Sequence, residues 1–469
     1  MQIVKLITAM VFLFVSYGLN GQSRSNYDAI YSGVPLFDDK HNVISAHGAC
    51  IIKDNGRFYL FGEAHTDTSN AFAGFNCYSS EDLYNWRFES LALPVQNSGK
   101  LGPNRVGERV KVMKSPKTGE YVMYMHVDTL GYKDQFLGYA TSTKITGPYT
   151  FHGPLLFNNI SIRKWDMGAF QDKDGSGYVL LHGGDIYKLS DDYKSITQHV
   201  HKEMVSGFES PTLFRKNNIY YFLGSHLTSW ERNDNEYYTS TSLSGPWTYR
   251  GLFAPKGSLT WNSQSTFVFP IEGSSDTTYM FMGDRWSYPK QNSSATYVWQ
   301  PLVVSDVALS IPSYKEAWKV DLSTGKVSDK TVGEITIENN SGKKIKLLGS
   351  WQHKSGAKTE SITDSKGASV SIKFKGSQIG LYSISKPSNG YARIILRDKK
   401  GRQIIQSIVD MYSLNSVSSL TFISPVMPKA KYILSVFPTG ERPNWADKRR
   451  SDYGSTGYFI SLDKIVISK

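Results

Sequence analysis

Apolar and polar positions change over at short intervals along the chain. Runs such as Tyr121-Val122-Met123-Tyr124-Met125 and Ile219-Tyr220-Tyr221-Phe222-Leu223 are aromatic and rich in strand formers, and are bounded by turn formers such as Lys216-Asn217-Asn218 and Asp172-Lys173-Asp174-Gly175. They read as strands paired across tight turns. No long stretch carries helical periodicity, so the class is all-β.

The hairpins repeat. One copy runs from Ser45-Ala46-His47-Gly48-Ala49 through Asp54-Asn55-Gly56 to Phe58-Tyr59-Leu60-Phe61-Gly62-Glu63. Others begin at Gly107-Glu108-Arg109-Val110, Trp165-Asp166-Met167-Gly168, Phe208-Glu209-Ser210-Pro211 and Asn262-Ser263-Gln264-Ser265. The spacing is about 45 to 65 residues, which fits four short strands per unit and predicts a five-bladed β-propeller. The innermost strand of each blade lines a central channel. His47, Glu108, Asp166, Glu209 and Gln264, each at the start of such a strand, therefore converge on one mouth.

Acids and an amide in phase around a channel suggest glycoside hydrolysis. One carboxyl must stay protonated to donate to the leaving oxygen, and a nearby carboxylate or partial burial raises its pKa. Glu209, flanked by Phe208 and Pro211, suits the donor, and Asp166 suits the neighbour that tunes and orients it. His47, Trp165, Trp230 and Trp286 are assigned to substrate contact, the indoles because a ring face accommodates the C–H side of a sugar. Each of these rings is equally at home in a core.

Residues 1–21 resemble a cleavable export signal, with Lys5 before the apolar run Leu6–Tyr17 and small residues after it. The run is too short for a membrane span. The expectation is an exported protein, periplasmic or extracellular. Cys50 and Cys77 fall on strands separated by a third, so two buried free thiols are expected rather than a disulfide. No Cys or His spacing suggests zinc.

Composition shifts near Ser328. From Thr331 onward, 22 Lys and Arg stand against 10 Asp and Glu, and the preceding residues carry 31 of each, so the whole net charge of +12 belongs to the tail. Residues 328–469 alternate as short strands, including Val370–Phe374, Gln378–Tyr382, Ala392–Leu396 and Tyr432–Val436. They predict a jelly-roll-like β-sandwich that binds carbohydrate or braces the rest. Trp351, Trp445 and Tyr453 are its candidate ring platforms. A basic exported module favours an acidic polysaccharide, and no motif for nucleic acid is present. Oligomeric state is not encoded in these patterns.

Over residues 33–320 the pattern resembles glycoside hydrolase family 43. Trp165-Asp166-Met167-Gly168-Ala169-Phe170 is similar to the family's second-acid motif, and Phe208-Glu209-Ser210-Pro211 to its general-acid motif. The resemblance implies a five-bladed propeller that inverts at the anomeric carbon. Most members begin the first blade with an aspartate base, whereas this chain has Ser45-Ala46-His47-Gly48-Ala49. That gap, with Gly107-Glu108-Arg109-Val110-Lys111-Val112 and Asn262-Ser263-Gln264-Ser265, resembles the exo-β-1,3-galactanase branch. There the resemblance makes Gln264 a surrogate base through its imidic-acid tautomer, with Glu108 touching substrate or assisting. On chemistry alone a neutral amide is a very poor base, and Glu108 taking the proton itself is the alternative. The implied activity is exo-cleavage of β-1,3-galactan in arabinogalactan-type polymers. The alternatives are an α-L-arabinofuranosidase on the same polymers and a sugar-binding propeller without catalysis. No cofactor is implied. Some members hold calcium in the channel, but no ligands for it are assigned here.

Overall fold

The computed structural model describes residues 26–339, 342, 344–354, 359–448 and 450–469. The expected signal at residues 1–21 lies outside them. The fold is nearly all-β, and helical structure among the described residues is confined to three single turns.

Five sheets occupy the first two-thirds, antiparallel but for one parallel contact, Phe157 beside Ile196, in the third. Their first strands are His47–Asp54, Arg105–Lys114, Met167–Gln171, Phe208–Lys216 and Gln264–Glu272. In every sheet the chain then meanders outward from the first strand. The first strands of successive sheets pack side by side, and that of the fifth returns beside that of the first. They are buried on both faces: the neighbours Val112 and Met113, Leu213 and Phe214, and Val268 and Phe269 each pack into different apolar clusters.

Four sheets hold at least four strands, and the third adds the small hairpin Leu156–Phe157 and Ile160–Ser161. The fifth stops at three, against the expectation of four per unit. Its outer edge is taken instead by the lead-in. Gly33 donates its N–H to the Tyr297 carbonyl at 2.6 Å, and Ser32 Oγ donates to that of Trp299 at 2.6 Å. Just upstream, Ile30–Tyr31 pairs with Ala317–Val320, whose Trp318 is buried and donates its indole N–H to the Trp299 carbonyl.

The last third contains a five-stranded sheet ordered Ile345–Leu348, Ser369–Gly376, Ala430–Pro438, Tyr391–Asp398, Gln403–Asp410, and a four-stranded sheet ordered Ile335–Glu338, Lys464–Ser468, Gln378–Ser385, Val417–Ile423. Strict alternation directs Val370, Ile372 and Phe374 of one sheet, and Ile379 and Leu381 of the other, into a common core. That core continues without a break into the first two-thirds through Phe37, Ile44, Leu60 and Trp299. Trp445 is buried and stacked on Tyr453, so it is not an open platform. Cys50 and Cys77 are buried free thiols on strands that flank Arg57–Glu63.

Candidate active site

The site is built from irregularities at the starts of the first strands. Pairing slips between His47 and Cys50, Glu108 and Lys111, Glu209 and Thr212, and Ser265 and Phe267. Gly48, Arg109 and Ser210, each directly after a singled-out residue, have φ of +61°, +58° and +57°, and Asp166 itself has +55°. Such bulges re-aim side chains and persist only where the surroundings over-determine them.

Here buried carboxylates and an amide do so. Asp284 Oδ2 accepts the Gly48 N–H at 3.1 Å, and Glu63 Oε1 accepts that of Arg109 at 2.7 Å. Asp166 Oδ2 accepts that of Ser210 at 2.6 Å, and Asn235 Oδ1 accepts that of Ser265 at 2.9 Å. Each acceptor belongs to the sheet, or the segment leading into it, that precedes the strand it holds. Glu209 thus sits one residue from the amide that Asp166 grips, and is half-buried.

Arg109 lies at the centre. Its Nε is 3.0 Å from Asp166 Oδ1, its Nη2 donates to Gln264 Oε1 at 2.5 Å and its Nη1 to the Ser265 carbonyl at 3.3 Å. Its guanidinium lies over the Trp286 ring at 5.4 Å. Burial opposes the cation, but Asp166, Asp284, Glu63 and Glu108 outweigh it and hold its pKa above the usual range. Gln264 is held from three sides. Its Oε1 also accepts the Trp286 indole N–H at 2.8 Å, and its Nε2 donates to Ser225 Oγ at 2.9 Å.

Glu108 meets a second cation. His126 directs Nδ1 at Glu108 Oε2, 3.2 Å away, and Nε2 at Asp128 Oδ2, 3.4 Å away. Burial alone would depress this histidine, yet the two carboxylates push it up to about 9, so the ring is an imidazolium at neutral pH. Tyr132 Oη donates to Glu108 Oε1 at 2.7 Å.

Three of the four residues assigned to substrate contact meet in one aromatic cluster, and two of them lie deeper than expected. His47 is fully buried. Its Nδ1–H donates to Asp284 at 3.2 Å, its ring stacks on Tyr297, and burial lowers its pKa. It is therefore enclosed by protein rather than open to a ligand. Trp286, 3 % exposed, lies edge-on between His65 and Trp230 with its N–H spent on Gln264, so it supports the amide more than it offers a face. Trp230 stacks on Tyr288 at 5.8 Å with rings 7° apart. Trp165 is exposed, 4.1 Å from the His182 ring and adjacent to Asp166.

Below the site, the buried Lys111 ammonium donates to the Gly48 carbonyl at 2.8 Å and lies near those of Arg109 and Val110 and the Thr266 hydroxyl. Burial lowers its pKa to about 8. A divalent cation does not fit these oxygens, since an ammonium already sits among them. Among the described residues no group of three or more His, Cys, Asp or Glu is arranged to hold a metal ion. No helix among them is long and apolar enough to cross a membrane.

Residues 42–253 match the family model for glycosyl hydrolases family 43. A candidate exo-β-1,3-galactanase from Bifidobacterium bifidum s17 is 36% identical, the match covering 60% of this chain and 95% of that one at a TM-score of 0.56. The chain belongs to glycosyl hydrolases family 43. It is a glycoside hydrolase. The exo-β-1,3-galactanase from Phanerochaete chrysosporium, solved with galactose, is 26% identical over 93% of this chain and 99% of that one, at a TM-score of 0.70. A curated family relative, the arabinoxylan arabinofuranohydrolase of Bacillus subtilis (strain 168), is 25% identical over 253 residues, 42% of this chain. The chain spans about half of that relative's length, 48%.

Arg109, Glu63, Asp284 and His126, absent from the sequence-based site, were signalled only by position. Glu63 and Asp284 close the second strands of their hairpins, and Arg109 follows Glu108.

Proposed function

We propose that this family 43 enzyme is an exported, inverting exo-β-1,3-galactanase acting on arabinogalactan-type polysaccharide. In this reading the five sheets are the blades of a propeller spanning residues 33–320, and residues 328–469 form a jelly-roll-like β-sandwich. The observation that carries it is Arg109, which joins Asp166 to Gln264 beside Glu108, with Glu209 one residue from the amide that Asp166 holds, in a chain whose structural relatives include an exo-β-1,3-galactanase.

Glu209 protonates the leaving glycosidic oxygen, and Asp166 holds its backbone in place. Inversion then needs a water on the opposite sugar face and an acceptor for its proton. An imidic-acid form of Gln264 carries its proton on Oε1, where Arg109 and Trp286 both already donate. Those donors favour the ordinary amide. Gln264 therefore orients the water through its remaining amide hydrogen, and Glu108 takes the proton, with the His126 imidazolium as countercharge. Trp230 and Trp165 supply the ring faces. The arabinofuranosidase alternative rests on the Bacillus subtilis relative.

The test is product analysis on β-1,3-galactan and on arabinogalactan with wild type and Glu209→Gln. Galactose released first as the α-anomer, by wild type alone, is the expected result. The variant should lose on the order of 100- to 10,000-fold on galacto-oligosaccharides. It should lose far less on an aryl galactoside whose leaving group needs no proton. Arabinose as the product would move the specificity, and no product from any galactan would overturn the reading.

A further inference from the structure

The aromatic cluster of the candidate site is held from the last third of the chain. Tyr412 Oη donates to Glu231 Oε2 at 2.6 Å, and Glu231 Oε1 lies 3.4 Å from Arg232 Nη1. Arg232 Nη2 donates to the Trp286 carbonyl at 2.7 Å, and the Trp286 indole N–H donates to Gln264 Oε1 at 2.8 Å. A run of polar contacts thus leads from Tyr412 to Gln264.

A second line runs beside it. Ser287 Oγ donates to Asp410 Oδ2 at 2.8 Å, and Tyr391 Oη reaches the carbonyls of Ser287 at 3.0 Å and Tyr288 at 3.3 Å. Tyr288 is the ring stacked on Trp230. Asp410 Oδ1 accepts the Tyr412 N–H at 2.8 Å, which joins the two lines. Glu231, Arg232, Tyr391 and Tyr412 are buried. Buried polar partners leave an orphan when one is removed, so such a seam fixes position tightly.

We propose that Tyr412 and Asp410 are positioning residues of the pocket: through Glu231 and Arg232 they fix Trp286 against Gln264, and through Ser287 they fix Tyr288 against Trp230. The last third of the chain is then part of the catalytic apparatus without touching substrate. The choice of substrate in the test rests on the galactanase reading, so one measurement is independent of it. Incorporated 5-fluorotryptophan gives a ¹⁹F resonance for Trp286, assigned by its loss in Trp286→Phe.

Tyr412→Phe keeps the ring and removes only the donor. It should move the Trp286 resonance and lower kcat on β-1,3-galactobiose by about five- to fifty-fold with KM little changed, because the displaced end is Gln264. Ser287→Ala should instead raise KM, because the displaced end is a sugar face. Glu231→Gln repeats the first test if Tyr412→Phe does not fold. An unmoved resonance, with kcat and KM within about two-fold of wild type in folded variants, would reduce the seam to glue and overturn the proposal. A moved resonance in an enzyme inactive on any galactan would uphold the coupling and refute the substrate.

Discussion

Gly48 is fixed by two neighbours at once. Its φ is +61°, and a Cβ there would lie 2.0 Å from Glu63 Oε1. Glu63 is the carboxylate that holds the Arg109 amide, so alanine would displace the group that aims the central guanidinium. Gly56, in the turn of the same hairpin, has φ +79° and nothing within 4 Å of the would-be Cβ. Both substitutions carry the left-handed cost of roughly 1–2 kcal/mol. Only Gly48→Ala adds the clash. Denaturant melts should show Gly48→Ala the more destabilising by at least about 1 kcal/mol, and assays should show activity lost in that variant alone. His126 gives a pH signature at the same scale. Its folded pKa, raised from 6.5 to about 9, means its contribution is complete below about 6.5 and is lost as pH rises through about 9. That contribution is roughly 3 kcal/mol. Lys111, lowered to about 8, works in the opposite sense, with stability rising from about pH 8 toward its ordinary value. The difference between wild type and His126→Gln cancels the lysine. It should shrink steadily from about pH 6.5 to about pH 9, and a difference independent of pH would show that the ring is neutral.

At the scale of the strand, the unit that matters is the bulge with the side chain that clasps it. Asp166 serves three partners, the Ser210 and Met167 amides and the Arg109 guanidinium. Asp166→Ala removes the shortest ion pair of a buried cation and should cost about 3 kcal/mol. Glu209→Ala, at a half-buried position, should change stability by less than about 1 kcal/mol while abolishing activity. Equal losses of stability would mean that Glu209 is as structural as its neighbour. The phase of Glu108, Asp166, Glu209 and Gln264 was legible in the sequence because a hairpin repeat imposes one offset on each strand start. The clasps were not. Glu63 and Asp284 read as ordinary strand ends, since the bulges that bring them over Arg109 and Gly48 arise from pairing between strands. The depth of His47 was illegible for a related reason: alternation assigns a face, and a strand buried on both faces has no solvent side. Trp286 lies just past its strand, where no alternation applies. Likewise, nothing local marks Tyr412, whose partner Glu231 lies 181 residues away.

At the scale of the molecule, the excess charge has a definite place. The exposed face of the five-stranded sheet carries Lys346, Lys373, Lys375, Lys431, Arg393 and Arg397 on adjacent strands, with Lys375 directly opposite Lys431. Like charges opposed across a ladder cost stability, which suggests a function beyond folding. The same face runs on to Tyr391 and Asp410, which abut the pocket wall. A carboxylate-bearing polymer lying on this face would therefore be led toward the pocket. Deleting everything after Ser328 is a poor test, because it would open the shared apolar core and remove the contacts at Glu231, Ser287 and Tyr288. Charge reversal is cleaner. Lys373→Glu, Lys375→Glu and Lys431→Glu together should abolish retention on a glucuronate-substituted galactan and leave kcat/KM on neutral galacto-oligosaccharides unchanged. Wild-type retention should fall as salt rises from about 0.1 M to about 1 M, where the screening length shortens from about 10 Å to about 3 Å. Retention that survives both the salt and the triple variant would place polymer binding elsewhere and leave the basic face as solubilising charge.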